Sequence, residues 1–225
     1  MELIREIKGD FHMHTKDDPV DYKYITHSAE ELIDHAARLG FEVLSITAHD
    51  KISYSPYLRE YAAHRGILLL PGVEVTIEGA HVLLINYLGT IEFKSLKELE
   101  KIRAPEVLIV AAHPYYPGPT LGKKLQEHIE LFDAIEYCHF YHRFINFFNQ
   151  KAVSVSKKNK KPLVGTSDTH FLCQMDQTYS MIEVNRKTPA AVVESIKAGK
   201  VRVVTHPLSL SMLLKIMIKF KLLLL

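Results

Sequence analysis

Gly9-Asp10-Phe11-His12-Met13-His14-Thr15 follows an apolar-alternating opening, residues 3–7, that reads as a strand. Side chains two apart on a strand share one face, so His12 and His14 project side by side from its end. Two imidazoles so placed are half of a tetrahedral metal site. An H-x-H triplet is often a surface accident. The weight this one carries comes from what stands at the other strand ends.

Working outward, residues 43–47 form the next apolar run, ending in Ala48-His49-Asp50. Residues 67–70 lead through Pro71-Gly72 into Val73-Glu74-Val75, Glu78-Gly79 reads as a hairpin turn, and His81 opens the run 81–88. Further strands are expected at 107–112 (then His113-Pro114), 133–137, 163–166 (then Ser167-Asp168-Thr169-His170), 180–184 and 201–205. Helices are expected between them. Ser28-x-x-Glu31 is a capping box ahead of Leu32, Ile33, Ala36 and Leu39, with Gly40 as the stop. Ser55-Pro56 and Pro189 start two more, closed by Gly66 and Gly199. Residues 95–103, 121–131 and 144–158 complete the set.

Short apolar strands alternating with helices mean parallel strands with covering helices. His12, His14, His49, Glu74, His113, Asp168 and His170 all fall at, or just past, the C-terminal end of an expected strand, the functional end of α/β barrels. About seven strands suit a closed barrel, although an open doubly wound sheet satisfies the same pattern. No composition break marks a second domain, so residues 1–207 are read as one barrel and 208–225 as a tail.

At 225 residues, 47% hydrophobic and 24% charged, the chain can bury a full core. A net charge of +2 makes no case for a nucleic-acid or membrane-surface protein. Cys138 and Cys173 form no C-x-x-C, and the first residues carry no signal-peptide pattern, so a reduced, cytoplasmic setting is expected. The unusual count is 13 histidines. A lone buried histidine is usually a hydrogen-bonded core residue. Several histidines and carboxylates gathered at one end of successive strands are costly to bury without cations. Imidazole with carboxylate suits Zn, Mn or Fe better than Mg or Ca, and Glu74 has two oxygens with which to bridge two ions.

Taken together, His12-x-His14, Thr47-Ala48-His49-Asp50, Gly72-Val73-Glu74, His81, His113-Pro114 and Ser167-Asp168-Thr169-His170 closely resemble the PHP (polymerase and histidinol phosphatase) family, over about residues 8–205. The resemblance implies a distorted seven-stranded β/α barrel, related to the TIM barrel, with two to three divalent metals and phosphoesterase chemistry. Carried over by position, His12, His14, Glu74 and Asp168 hold the first metal, and Glu74, His81 and His113 the second. His49, His170 and a loop acid hold the third. Two departures bear on that third site. Ala48 stands where the family usually has Asp, and the loop acid is to be chosen among Asp17, Asp18 and Asp21; Asp18 is taken here.

Beside that set, His139, His142 and Arg143 follow the strand carrying Glu136, at the expected barrel mouth, where they either bind phosphate or simply start a helix. Cys173 reads as a buried, inert thiol. The basic run Lys157-Lys158-Asn159-Lys160-Lys161 reads as a solvated face. The tail is apolar but interrupted by Lys215, Lys219 and Lys221, too short and charged to span a bilayer. It either docks on the barrel or pairs with a second copy, ahead of touching a membrane surface. The expected function is hydrolysis of a phosphorylated small molecule by a metal-bound hydroxide, with no stable nucleic-acid complex. The alternatives are a nuclease on short nucleic acids and a catalytically weak metal-binding accessory module.

Overall fold

The computed structural model describes residues 4–222. Residues 1–3 and 223–225, with the parts of the opening strand and the tail expected there, lie outside the described residues. The expected start signals operate as capping chemistry. Strand β1 (Arg5–Asp10) is followed by helix α1 (Ala29–Arg38). At the N-terminus of α1 the Ser28 hydroxyl accepts the Glu31 N–H, and the Glu31 carboxylate accepts the Ser28 N–H. Leu32, Ile33 and Ala36 face inward from α1, and Gly40 ends it at φ 76°. Strand β2 (Val43–Ile46) precedes α2 (Pro56–Ala63), capped by Ser55.

Strands β3 (Leu68–Ile77) and β4 (Ala80–Ile85) are joined by Glu78-Gly79, both in the left-handed region at φ 51° and 75°. That is the mirror-image turn whose twist suits a hairpin. Next come β5 (Leu108–Ala111), α3 (Lys124–Glu127), β6 (Ala134–Cys138), α4 (Phe147–Asn159) and β7 (Leu163–Thr166). The chain closes with β8 (Thr178–Val184), α5 (Pro189–Lys197), β9 (Val201–Thr205) and α6 (Leu210–Leu222).

The strands make one nine-stranded sheet in the order β7-β6-β5-β4-β3-β2-β1-β8-β9. Its two ends curl together. The Gly165 N–H in β7 donates to the Ser180 hydroxyl in β8, and that hydroxyl donates back to the Gly165 carbonyl. The seven-strand, all-parallel expectation is therefore corrected. Pairs β1–β2, β2–β3, β5–β6 and β6–β7 are parallel, while β4 and β8 run against both of their neighbours. A two-residue turn forces antiparallel pairing, because a parallel return needs a crossover. Residues 167–177, linking β7 to β8, hold only a 3-10 turn, Leu172–Gln174. Two expected helices also shrink: 95–103 is a 3-10 stretch, Leu96–Ile102, and 121–131 splits into α3 and a 3-10 turn, Ile129–Leu131.

One core cluster takes a residue or two from each of β1–β8, among them Ile7, Val43, Leu70, Leu83, Leu108, Ala134, Val164 and Ile182, and adds Val192, Val193 and Ile196 of α5. Two others pack the covering helices and loops on the outer faces. Truncating a fully buried side chain such as Ile196 to Ala costs roughly 2–5 kcal/mol at such sites. Tail helix α6 docks through Ile216, which joins Leu208 and Phe171, while Leu210, Leu214, Met217 and Ile218 stay exposed. Cys138 is buried and Cys173 exposed, which corrects the reading of Cys173 as a buried thiol. Among the described residues no helix is long and apolar enough to cross a membrane.

Closure depends on a missing side chain. A Cβ on Gly165 would sit 2.5 Å from the Tyr179 carbonyl oxygen, which is backbone and cannot swing away. Gly165→Ala should therefore lower unfolding stability by about 1–3 kcal/mol, the usual range for overpacking. An unchanged urea midpoint would contradict the closure described here.

Candidate metal centre

The ligand-bearing segments at the barrel rim hold one another through backbone hydrogen bonds. The Thr47 N–H donates to the Met13 carbonyl at 2.9 Å, and the His14 N–H to the Thr169 carbonyl at 3.0 Å. The Asp50 N–H donates to the Glu74 carbonyl at 2.8 Å. Asp50, His113 and Asp168 have positive φ values of 46°, 23° and 44°, so three rim segments turn sharply at residues that are not glycine. Such conformations cost of order 1–3 kcal/mol each and cluster at functional sites. His81 reaches this rim from the start of β4, because the hairpin carries β3 beyond Glu74 and back. Glu74 therefore lies inside β3 and not at its end.

All nine expected metal ligands come together. Glu74 Oε2 lies 3.1 Å from His12 Nε2, 3.4 Å from His14 Nε2 and 3.1 Å from His49 Nε2. Glu74 Oε1 lies 2.7 Å from His81 Nδ1 and 3.2 Å from His113 Nε2. Asp168 Oδ1 is 3.4 Å from His12 Nε2 and 3.3 Å from His14 Nε2. Five trios have ligand atoms within 4.8 Å of one another: His12-His14-Glu74, His12-His113-Asp168, His14-Asp168-His170, His14-Asp18-His49 and His49-Glu74-His81. Among the described residues none of these trios joins His49 to His170.

Several donor atoms of the cluster are orphaned. His12 Nε2, His14 Nε2, Glu74 Oε2 and His81 Nδ1 are buried and have no hydrogen bond. The opposite ring nitrogens are firmly held: His12 Nδ1 lies 2.7 Å from Glu136, and His14 Nδ1 lies 2.8 Å from Asp18. A carboxylate on Nδ1 fixes the tautomer that turns the Nε2 lone pair toward a metal. Bare and buried, these atoms are costly, and a divalent cation satisfies them together.

Electrostatics agree. Burial opposes charge on His12, but Glu74, Asp168 and Glu136 raise its pKa well above the ordinary imidazole value. Burial also opposes charge on His49, yet the Asp18 hydrogen bond and the Glu74 charge raise its pKa to about 9. Burial pushes Glu74 and Asp168 upward, and His12 with its neighbours holds both well below the usual carboxylate range. Without metal, protons take the place of the cations.

Asp18, the chosen loop acid, plays an orienting part. Its carboxylate accepts from the ring N–H groups of His14 and His49 and from the backbone N–H groups of Val20, Asp21 and His49. Asp21 is the loop acid that faces His170, at 3.0 Å from Nε2. The substrate-binding expectation divides. His139 lines the same cavity as His113, Asp168 and His170. It carries no charge there, because burial pushes its pKa down to about 4. Gln174 Oε1 accepts the backbone N–H groups of His170 and Phe171, leaving its amide to donate to His139 Nε2 at 3.0 Å. His142 and Arg143 belong elsewhere. They line a separate surface groove with Leu208 and Leu210, and the exposed Arg143 lies over the Phe144 ring.

Two carboxylates escaped the sequence reading. Glu136 is fully buried in β6 and takes His12 Nδ1, the Thr166 hydroxyl and the His113 N–H. Its signal is a lone acid in the apolar run Ala134-Ile135-Glu136-Tyr137-Cys138. Asp10 accepts the N–H groups of His12 and Ser167, and burial pushes its pKa up to about 7.

Comparison with known proteins follows the same line. Residues 146–201 match the PHP-associated family model, and no curated protein matches the chain. Among solved structures, a two-domain protein of Bacteroides vulgatus, described as containing a predicted PHP-like metal-dependent phosphoesterase, is 20% identical with a TM-score of 0.68, over 97% of this chain and 70% of that one. The chain shares the fold of these PHP-like proteins. PsfC of Pseudomonas syringae is 16% identical with a TM-score of 0.65, covering 98% of both chains. The lesion-specific endonuclease PfuEndoQ of Pyrococcus furiosus is 17% identical with a TM-score of 0.62, over 88% of this chain and 58% of that one. At these identities the likeness is one of fold.

Two outcomes follow from the geometry. Glu136→Gln keeps the shape and removes the charge behind His12, so manganese affinity by calorimetry should fall about 10–100-fold; an unchanged affinity would show that Glu136 has no hold on the ligand set. His12 and His49 have raised pKa values, so in the metal-free protein both are protonated at neutral pH and a metal must displace those protons. Affinity should rise between about pH 6.5 and about pH 8.5, with proton release visible as buffer-dependent heat. A pH-independent affinity would contradict the assignment.

Proposed function

We propose that the protein is a metal-dependent phosphoesterase acting on a phosphorylated small molecule. The observation that carries this reading is the set of buried, unpartnered ligand atoms on His12, His14, Glu74 and His81 at the mouth of a PHP-like barrel. In this reading His12, His14, Glu74 and Asp168 hold a first ion, and Glu74, His81 and His113 a second. His170 and Asp21 are the pair left for a third, since His49 turns one ring nitrogen to Glu74 and the other to Asp18. Zn, Mn or Fe suits this donor set. When bound, the ions supply Lewis acidity, activation of water and a clamp on phosphoryl oxygens.

The chain's own part is positioning. Glu136 and Asp18 hold the Nδ1 sides of His12 and His14, which keeps their Nε2 atoms turned toward Glu74. Gln174 holds His139 as a neutral polar wall in the cavity. Cys138 also lines that cavity, and burial pushes its pKa well above the ordinary thiol value, so it stays protonated and does not act as a nucleophile. This supports direct attack by water over a covalent phosphoenzyme. The nuclease alternative takes support from the fold of PfuEndoQ, but no Lys or Arg among the described residues lines the cavity at the ligand cluster.

Protein expressed with added manganese should hydrolyse simple phosphate monoesters and lose that activity to a chelator. Glu74→Gln should lower kcat/KM at least about a hundredfold, as loss of a central charge-positioning group does, and lower bound metal by elemental analysis. Activity surviving both treatments, or a trapped phosphoenzyme, would overturn this mechanism.

A further inference from the structure

The cavity beside the ligand cluster holds about 220 Å³. Its lining joins the candidate ligands His113, Asp168 and His170 to the neutral polar groups of His139 and Gln174 and to the apolar surface of Pro117, Phe140 and Ile216. Ile216 comes from α6, the helix of the tail, outside the strands that build the barrel. It is 2% exposed and clusters with Leu208 and Phe171, with Phe140, Met212 and Leu213 packed around them. Phe171 directly follows the candidate ligand His170, and Lys219 of α6 lies 4.6 Å above its ring. The tail helix is thus anchored on the residue next to the metal cluster, and it turns an apolar side chain into the cavity.

We propose that α6 forms the specificity wall of the site, shaping it for a monoester whose phosphate carries one small apolar group, a single aromatic ring or a short alkyl chain. The proposal rests on the phosphoesterase reading and names its substrate class. Size supports it: an apolar cavity of about 150 Å³ holds a benzene molecule, so the 220 Å³ here has room for one ring. Charge supports it as well. A second phosphate, or the backbone of a polynucleotide, needs cationic partners beyond the ligand cluster, and among the described residues no Lys or Arg lines the cavity. Arg143, the cation expected there, lies in a different groove.

The test is calorimetric titration of the full, manganese-loaded chain with phenylphosphonate and methylphosphonate, whose C–P bonds the enzyme does not cleave. Phenylphosphonate should bind at least about tenfold more tightly, on the scale of apolar area buried by a ring. Ile216→Ala should shrink that ratio by about threefold or more, and Ile216→Val, which is less disruptive to folding, should shrink it by a smaller factor. Equal binding of the two probes, or a ratio indifferent to both variants, would overturn the proposal. A parallel assay separates the two readings. Preference for the phenyl probe with no monoester hydrolysed would sink the phosphoesterase reading and leave the wall standing. Hydrolysis of methyl and phenyl phosphates with equal kcat/KM, or of a 5′-phosphorylated oligonucleotide as fast as phenyl phosphate, would sink the wall alone.

Discussion

Glu74 has 1% of its side chain exposed and faces five imidazoles, those of His12, His14, His49, His81 and His113, at 2.7–3.4 Å. A carboxylate in that position cannot be neutralised by water. His12 and His14 are buried as completely, while His81 and His113 keep about a tenth of their side chains exposed, 11% and 13%. Without metal, the arrangement persists by holding His12 and His49 protonated and Glu74 and Asp168 ionised. A divalent metal would take the same atoms as ligands. Either way the centre needs positive charge, and the fold around it is built to hold that charge in one place.

The supporting features converge on this need. Glu136 and Asp18 stand behind the rings and set which nitrogen faces inward. Rim segments from β1, β2, β3 and β7 exchange backbone hydrogen bonds, so that no ligand hangs on a free loop apart from the 15–27 segment carrying Asp18 and Asp21. Even there, the Lys16 N–H donates to the His27 carbonyl, and His27 Nε2 lies 2.9 Å from the His14 carbonyl, which ties the loop back. Gly165 lets the sheet close beneath the centre. Substitutions far from the metal ligands can therefore reach the site through the closure of the barrel.

What the chain reveals before folding divides along a physical line. The strand-end ligands were legible because strand periodicity and turn residues are local: His12 and His14 share a face by spacing alone, and Ser28, Ser55 and Glu78-Gly79 announce their caps and turn. Features that depend on register between distant segments were not legible. Glu136 shows its role only once β6 lies beside β5 and β7 and meets His12. The antiparallel course of β4 follows from the Glu78-Gly79 turn, but that of β8 depends on pairing with β1 and β9, which alternation of helices and strands does not encode. Arg143 was placed at the mouth by sequence proximity to a strand end, but the chain turns away at His142, whose backbone pairs with Ile145. The docking of Ile216 on Phe171 is a further case, since no local pattern in the tail names the segment it meets.

The central claim is that the Nε2 atoms of His12 and His14 and the free oxygen of Glu74 are metal ligands awaiting a cation. Anomalous diffraction from crystals of manganese-loaded protein tests it most directly. The account predicts strong manganese peaks bonded to those atoms, with Glu136 and Asp18 still on the opposite ring nitrogens. A crystal grown with excess manganese that shows no anomalous peak at the cluster, or metal bound through the Nδ1 atoms with Glu136 and Asp18 displaced, would contradict it.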